Sequence, residues 1–203
     1  LERFNGMFAI AIWDGDRFFC ARDRLGKKPL FYRCSGRTFE FASEVKAFPD
    51  LTFVGNELFD LLEFCPDEHT LYKDVFSLPP GHYLLYDPSR GTLLTRGYWD
   101  IPHRFGERPT DDGEAIDRFV ELLTDSVKLR MRADVPVTMF LSGGIDSTLV
   151  ATLAGIKEAF TCQFDEFKST IDEEVYARDF AERLGIELHV VRPTKEQFLE
   201  DLP

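Results

Sequence analysis

Two serines, two glycines and an aspartate follow closely on one another in the second half of the chain, and their types suit phosphate binding. Gly143 and Gly144 allow the backbone to approach a ligand closely. Backbone N–H groups at the start of a following helix would point at phosphate oxygens, and the hydroxyls of Ser142 and Ser147 can donate further hydrogen bonds. Asp146 is acidic within an anion site, and a Mg²⁺ ion between its carboxylate and the phosphates removes that conflict. The segment therefore predicts a phosphate site with Mg²⁺.

This segment differs from two better-known phosphate-binding loops. The GxxxxGK[ST] loop requires a lysine that is absent here, and the GxGxxG spacing is not found. A strand–helix turn with a capping serine is the alternative that involves no ligand. An apolar, β-rich run precedes the loop and a helix-forming run follows it, which is the arrangement where α/β proteins bind ligands.

The second half of the chain alternates between strand and helix patterns. Predicted strands cover residues 135–141, 160–164 and 187–191, and predicted helices cover residues 114–131, 148–154 and 172–184. Asp111 or Asp112 is the predicted cap of the first helix. The alternation indicates right-handed βαβ units and a parallel sheet.

The first half is rich in short strands separated by turns, as in a meander. Predicted strands cover residues 7–13, 17–21, 30–32, 39–42, 82–86 and 92–99, and predicted helices lie at residues 43–47 and 58–64. The nearly continuous apolar run at residues 7–13 favours a strand covered on both faces. Residues 101–113, with two prolines, two glycines and several charges, are predicted to form a linker.

Composition excludes several classes of function. The net charge of −12 argues against a nucleic-acid groove, and no apolar run of membrane-spanning length or signal peptide is found. The four cysteines lack CxxC spacing, which argues against a zinc or thioredoxin motif and predicts buried free thiols in a reducing cytosol. The first residue is Leu1 and the last is Pro203, and we interpret the chain as a piece of a longer protein.

Several motifs, in this order along the chain, resemble the glutamine-hydrolysing asparagine synthetase family. They are FNGMFA at 4–9, ARDRLGKKPL at 21–30, FASEVKA at 41–47, LPPGH at 78–82 and DVPVTMFLSGGIDS at 134–147. The first four are similar to the later part of the family's glutaminase domain, and the fifth to the start of its synthetase domain. The resemblance therefore covers nearly the whole chain.

The resemblance implies an α/β protein with two different domains. Residues 1–100 would be the later part of a type 2 glutamine amidotransferase domain, which is a strand-rich α+β fold of the N-terminal-nucleophile type. Residues 101–113 would be the linker. Residues 114–203 would begin a parallel-sheet ATP-pyrophosphatase domain, similar to the adenine nucleotide α-hydrolases.

The resemblance also implies a mechanism and its partners. Glutamine hydrolysis would release ammonia into an internal tunnel. Aspartate, or another carboxylate, would attack the α-phosphate of ATP, and ammonia would displace AMP from the adenylate after pyrophosphate leaves. The family implies ATP with Mg²⁺ and allows a homodimer. A cytoplasmic location and the lack of a nucleic-acid or membrane partner are expected from the cysteines, the charge and the hydropathy described above.

Site residues can be carried over by position. The residues implied to hold the pyrophosphate are Ser142, Gly143, Gly144, Asp146 and Ser147, with Asp146 facing the Mg²⁺. Leu141 and Cys162 would lie beside the adenosine, mainly through backbone groups. Thr138 and Gln163 depart from the glycines that are usual in the family.

No catalytic residue is predicted within this chain. The family's nucleophile is an N-terminal cysteine, and none of Cys20, Cys34, Cys65 and Cys162 is N-terminal. The pair at residues 5–6 matches a later motif than the Asn-Gly of the family's oxyanion hole, so it is not assigned that role.

Other charged residues have structural interpretations that we prefer. His82 and His189 are predicted to be packed or surface histidines. Residues 22–24, with two nearby lysines, are predicted to form a solvated structural loop rather than an anion-steering patch. The acidic residues at 172–174 are predicted to be partners of a helix dipole.

Three alternatives remain at this stage. One is a sister amidotransferase acting on another carboxylate, as in cell-surface sugar or β-lactam pathways. The second is a non-catalytic nucleotide-binding remnant, against which the retained loop residues argue. The third is an unrelated ATP-pyrophosphatase, such as a synthetase of NAD or GMP, against which the motifs of the first half argue.

Overall fold

The computed structural model describes residues 1–66, 68–102, 111–164 and 173–201. The chain divides into two compact units, residues 1–106 and residues 107–203. Among the described residues, no helix is long and apolar enough to cross a membrane.

The described residues of the first unit form seven strands and little helix. The strands are β1 (Ala9–Trp13), β2 (Phe18–Arg22), β3 (Phe31–Ser35), β4 (Thr38–Ala42), β5 (Phe76–Ser77), β6 (His82–Asp87) and β7 (Thr92–Gly97). The helical elements are a 3₁₀ turn (Val45–Ala47) and α1 (Glu57–Leu62). The predicted helix at residues 43–47 is therefore only a 3₁₀ turn, and the two-residue β5 is too short to leave a pattern in the sequence.

Two antiparallel sheets form the first unit. One has the order β1-β2-β6-β7 and the other β4-β3-β5. Their facing side chains share one core, in which the rings of Phe39 and Tyr86 stack with centroids 4.9 Å apart. The buried members of this core are Cys20, Leu30, Tyr32, Leu78, Leu84 and Tyr86. The strand-rich character predicted for this half is confirmed.

The strand β1 differs from its prediction. It lies at the edge of the four-stranded sheet, and the side chains of Ile12 and Trp13 are 52% and 48% exposed. A continuous apolar run thus does not mark a strand covered on both faces in this unit. The predicted turn after it is confirmed, because the carboxylate of Asp14 accepts hydrogen bonds from the N–H groups of Asp16 and Arg17.

The second unit contains three parallel strands and four helices among its described residues. The strands are β8 (Met139–Phe140), β9 (Glu158–Cys162) and β10 (Glu187–Val191). The helices are α2 (Asp112–Arg130), α3 (Ile145–Ala154), α4 (Glu173–Leu184) and α5 (Lys195–Glu200). The sheet order is β10-β9-β8 with parallel pairing throughout, which confirms the parallel sheet predicted from the strand–helix alternation.

Small and branched side chains form the core of this unit. They come from β9, α3, α4 and the loops next to these elements, and they are Leu141, Ala151, Ile156, Ala159, Ala177, Ala181 and Ile186. Alanines at the helix positions allow α3 and α4 to approach the sheet closely.

Some predicted boundaries in this unit were wrong. The strand predicted for residues 135–141 has only two residues, because Val135 is 71% exposed and Pro136 has no N–H to donate to a ladder. The linker prediction extended too far, since α2 begins at Asp112 and is capped by Asp111, which accepts a hydrogen bond from the Glu114 N–H at 2.8 Å. Residues 103–110 of the predicted linker lie outside the described residues.

Candidate functional site

The predicted phosphate loop joins β8 to α3 at the carboxyl end of the parallel sheet. Leu141 is 1% exposed, and its N–H donates to the Phe160 carbonyl at 2.8 Å, which continues the pairing of β8 with β9. Cys162 is the last residue of β9 and is paired in register with Val191 of β10. The fold thus places Leu141, the loop that follows it and Cys162 at the carboxyl end of the sheet.

Gly143 is the point where the loop contacts α4. Its φ of +75° lies in the left-handed region, which an L side chain rarely adopts. A Cβ at this position would lie 2.5 Å from Cβ of Tyr176 and 2.7 Å from the backbone nitrogen of Ala177. Only glycine therefore fits between the loop and the backbone of α4.

The two serine hydroxyls close a ring of hydrogen bonds inside the loop. The Gly144 N–H donates to Oγ of Ser142 at 3.4 Å, the two Oγ atoms lie 3.0 Å apart, and Oγ of Ser147 donates to the Gly144 carbonyl at 3.1 Å. Both serine hydroxyls therefore donate to partners within the loop. They would have to rotate to donate to a phosphate oxygen instead.

The start of α3 suits an anionic ligand. Gly144 is the N-cap residue, with an extended backbone and no side chain to accept the N–H groups of the first turn. The helix has ten residues, so its dipole contributes positive potential at this end. Oxygen atoms of a phosphate would satisfy these N–H groups.

Asp146 is exposed in the first turn of α3. The described residues contain no group of three or more His, Cys, Asp or Glu side chains that could hold a metal ion. Mg²⁺ commonly binds through one or two carboxylates together with phosphates and water. The donor set therefore fits a Mg²⁺ ion that arrives with a nucleotide, and it does not fit an ion held by the protein alone.

The two residues at the end of β9 face different environments. Cys162 is exposed, whereas Gln163 is 3% exposed and donates through Nε2 to the Phe164 carbonyl at 3.2 Å. The Gln163 N–H donates to the Val191 carbonyl at 2.9 Å. Thr138, the other departure from the family pattern, is exposed one residue before β8.

The prediction of buried thiols holds for one cysteine of the four. All four are free, and Cys20 is buried, but Cys34 and Cys65 are partly exposed and Cys162 is exposed. Burial raises the pKa of the Cys20 thiol to about 12. Cys162 is the last residue of the central strand β9.

The ion pairs of Glu174 were not predicted from the sequence. Glu174 lies in the first turn of α4, yet it is 7% exposed and its carboxylate binds Arg178 at 2.7 Å and also Arg192. The pKa of Glu174 is lowered, mainly by the hydrogen bond from Arg178. Burial raises this pKa, and Arg192 lowers it further. Glu174 is thus a bridging residue as well as a dipole partner.

Residues 22–24 in the first unit bind backbone groups. Arg22 donates to the carbonyls of Gly26, Lys28 and Leu78 at 2.7–2.9 Å. Asp23 is 2% exposed, so the structural interpretation is supported but the expected solvation is wrong.

Four backbone N–H groups surround the carboxylate of Asp23. They belong to Phe8, Leu25, Lys27 and Lys28, at 2.9–3.3 Å. Burial alone would raise the pKa of Asp23, but these four hydrogen bonds outweigh it and lower the pKa. This segment fixes the backbone around it and is not an anion-steering patch.

Both histidines singled out from the sequence have packing roles. The ring of His189 stacks on Phe160 with centroids 4.9 Å apart, and its Nε2 lies 2.9 Å from the carboxylate of Glu158. Nδ1 of His82 lies 2.8 Å from the Pro80 carbonyl. These contacts agree with the prediction of packed or surface histidines.

Two family models match the chain, one in each half. The model described as "Glutamine amidotransferase domain" matches residues 1–99, and the model described as "Asparagine synthase" matches residues 118–203.

Curated relatives match across both halves. "Asparagine synthetase [glutamine-hydrolyzing] 3" of Bacillus subtilis is 35% identical over 76% of this chain and 26% of its own length. "Asparagine synthetase [glutamine-hydrolyzing] 2" of the same organism is 34% identical over 92% of this chain and 28% of its own length. "Amidase chry2" of Gibberella zeae is 33% identical over 97% of this chain and 33% of its own length.

The chain spans about a third or less of the length of the curated relatives it matches. The two family matches follow one another along this chain, the glutamine amidotransferase domain first and the asparagine synthase domain second. The chain therefore belongs to the glutamine-hydrolysing asparagine synthetase family.

Proposed function

We propose that the complete protein containing this chain forms an amide on aspartate, with ammonia taken from glutamine and ATP as the energy source. The carboxylate would be activated as an acyl-adenylate, and AMP and pyrophosphate would be released. Family membership supports the general reaction. The aspartate specificity and the adenylate route are our proposals.

The construction of the loop at residues 142–147 is the observation that carries this proposal. Gly143 allows α4 to pack against the loop, and the uncapped start of α3 presents N–H groups and a positive dipole end. Such donors stabilise negative charge that grows on departing pyrophosphate. Mg²⁺ bound at Asp146 would neutralise part of the same charge.

The other site residues have roles in this proposal that follow their positions. Ser142 and Ser147 would hold the β- and γ-phosphates once their hydroxyls rotate toward the ligand. Leu141 and Cys162 would present backbone groups to the adenosine, since both lie at the carboxyl end of the parallel sheet. Gln163 leaves Cys162 accessible, because its own side chain is buried.

The domain limits are also part of the proposal. Residues 1–100 would contribute to a glutaminase domain and residues 114–203 to the nucleotide domain. We assign no catalytic nucleophile for glutamine hydrolysis within this chain. The four cysteines are excluded from that role because none has a free α-amino group.

The test is a product assay on the complete gene product with glutamine, Mg²⁺, ATP and aspartate. AMP, pyrophosphate and asparagine should appear together. Asp146→Ala should lower pyrophosphate release roughly 100-fold or more, because it removes the group proposed to hold Mg²⁺. Asp125→Ala, which removes an exposed carboxylate from α2, is the matched control and should retain full activity.

A second candidate is an amidotransferase that acts on another carboxylate. The observation that favours it is the match to Amidase chry2, which covers 97% of this chain. Pyrophosphate release with a different carboxylate, and none with aspartate, would support this candidate. No pyrophosphate with any carboxylate tried would contradict both candidates and support a non-catalytic protein.

A further inference from the structure

We propose that Glu174 and Arg192 are positioning residues for the phosphate loop. Their ion pair joins the first turn of α4 to the end of β10, and α4 in turn supports the loop at Gly143. The effect on nucleotide binding rests on the proposed function. The effect on the position of the loop does not depend on it.

The ion pair connects two different elements at the edge of the sheet that carries the loop. Arg192 directly follows Val191, the last residue of β10, and Val191 accepts the Gln163 N–H at the end of β9. Glu174 lies in the first turn of α4. Its carboxylate therefore ties the start of the helix to the carboxyl ends of two strands.

Burial makes this tie strong. The side chain of Glu174 is 9% exposed, whereas Arg192 and Arg178 are 38% and 51% exposed. Without Arg192 the carboxylate keeps only its ion pair with Arg178 of the same helix, so this carboxylate no longer holds the start of α4 to the residue after β10. The paired state holds that turn in one place.

The start of α4 determines where the loop can lie. Tyr176 follows Glu174 by two residues, and together with Ala177 it forms the surface against which Gly143 packs. No Cβ fits between them, so a displacement of this turn is passed directly to the loop. The loop of residues 142–147 thus contacts α4 next to the groups that are proposed to bind phosphate.

The neighbouring arginine provides a matched control. Arg178 binds the same carboxylate at 2.7 Å, but it lies on α4 itself, four residues later. Removing Arg178 takes away a charge partner without releasing α4 from β10. Removing Arg192 takes away the tie between the two elements.

The experiment measures amide hydrogen exchange of residues 142–148 in the complete gene product without nucleotide. Arg192→Met should accelerate exchange there about tenfold, the loss expected for one hydrogen bond to a charged group. Arg178→Met should change it by less than about threefold, and Arg192→Lys should restore most of the protection. Arg192→Gln, which keeps a donor without the charge, is the second variant should Arg192→Met fail to fold.

Nucleotide kinetics provide the second measurement. The KM for MgATP should rise about tenfold in Arg192→Met and remain near the unmodified value in Arg178→Met, with kcat changed less than KM in both. Equal exchange in the Arg192→Met and unmodified proteins would overturn the proposal. Equal acceleration in the two methionine variants would overturn it as well, since it would show a general effect of lost charge.

Failure of the proposed function would look different. If the unmodified protein neither binds nor cleaves ATP, the nucleotide assignment is wrong. The exchange comparison between Arg192→Met and Arg178→Met still decides whether the ion pair positions the loop.

Discussion

Replacing Asp23 by asparagine is expected to destabilise the first unit strongly although the side chains have the same shape. The carboxylate accepts four backbone hydrogen bonds, two at each oxygen. An asparagine keeps one acceptor oxygen and turns an NH₂ group toward the other two N–H donors. Two charge-assisted hydrogen bonds are lost, and two buried N–H groups lose their acceptor.

The expected loss for the two hydrogen bonds is about 3–6 kcal/mol of unfolding free energy, at about 1.5–3 kcal/mol for each hydrogen bond to a charged group. Domains of this size are stable by about 5–15 kcal/mol, so much of the total would disappear. Urea unfolding followed by tryptophan fluorescence measures it, because Trp13 and Trp99 both lie in the first unit. With an m-value of about 2 kcal/mol/M, the urea midpoint should fall by about 1.5–3 M.

The pH dependence provides an independent check. The folded pKa of Asp23 is lowered by its backbone hydrogen bonds, so the stability they contribute is present above the unfolded pKa of about 3.9. It is lost as the pH falls through the folded pKa. The difference between the unmodified protein and Asp23→Asn should be constant from about pH 5 to pH 8 and shrink below about pH 4.

An exposed aspartate in the same unit serves as the control. Asp16→Asn should change the unfolding free energy by less than about 0.5 kcal/mol. A loss below about 1 kcal/mol for Asp23→Asn at pH 7 would refute the reasoning. So would a loss that stays the same down to pH 3, because the penalty would then not depend on the ionised carboxylate.

Two further predictions concern the second unit and its candidate site. Gly143→Ala should weaken MgATP binding about tenfold or more, because Gly143 has a φ of +75° and the new Cβ would meet the backbone of α4. Gly155→Ala is the control: Gly155 has a φ of +62°, but nothing lies within 4 Å of its Cβ position, so MgATP binding should not change in the same titration. Binding that is equal in the two variants would contradict the proposed contact. Iodoacetamide at pH 8 should label the exposed Cys162 well before Cys20, because Cys20 is buried and burial raises its pKa to about 12. MgATP should slow the labelling of Cys162, and peptide mass spectrometry measures the rate. A labelling rate that MgATP does not change would argue against adenosine at this position.

The sequence predicted the parallel sheet and the strand-rich first unit because both leave strong local signals. Alternating strand and helix patterns within about 60 residues define βαβ units. The position of residues 142–147 between a strand and a helix was predicted as well, whereas phosphate binding there stays a prediction. Structure then added Gly143 as the contact to α4, which no sequence spacing reveals.

The features that were missed depend on contacts between distant residues. Glu174 and Arg192 are 18 positions apart, far beyond the three- or four-residue spacing that helical pairs show. Asp23 stands between two arginines and was therefore expected to be solvated, although the fold buries it. The apolar run that forms β1 predicted burial on both faces, but apolar content does not distinguish an edge strand from a central one.

The strand order of the first unit has a consequence for synthesis on the ribosome. β2 pairs on one side with β1, which immediately precedes it, and on the other with β6, which begins about 60 residues later. At translation rates of about 5–20 residues per second, β2 waits roughly 3–12 s for that partner. During this interval its open edge can pair with other nascent chains, and the later β6 and β7 hairpin must arrive to close it. Among the described strands of the second unit, β9 follows β8 after α3 and β10 follows β9 after α4, so these strands meet their neighbours sooner.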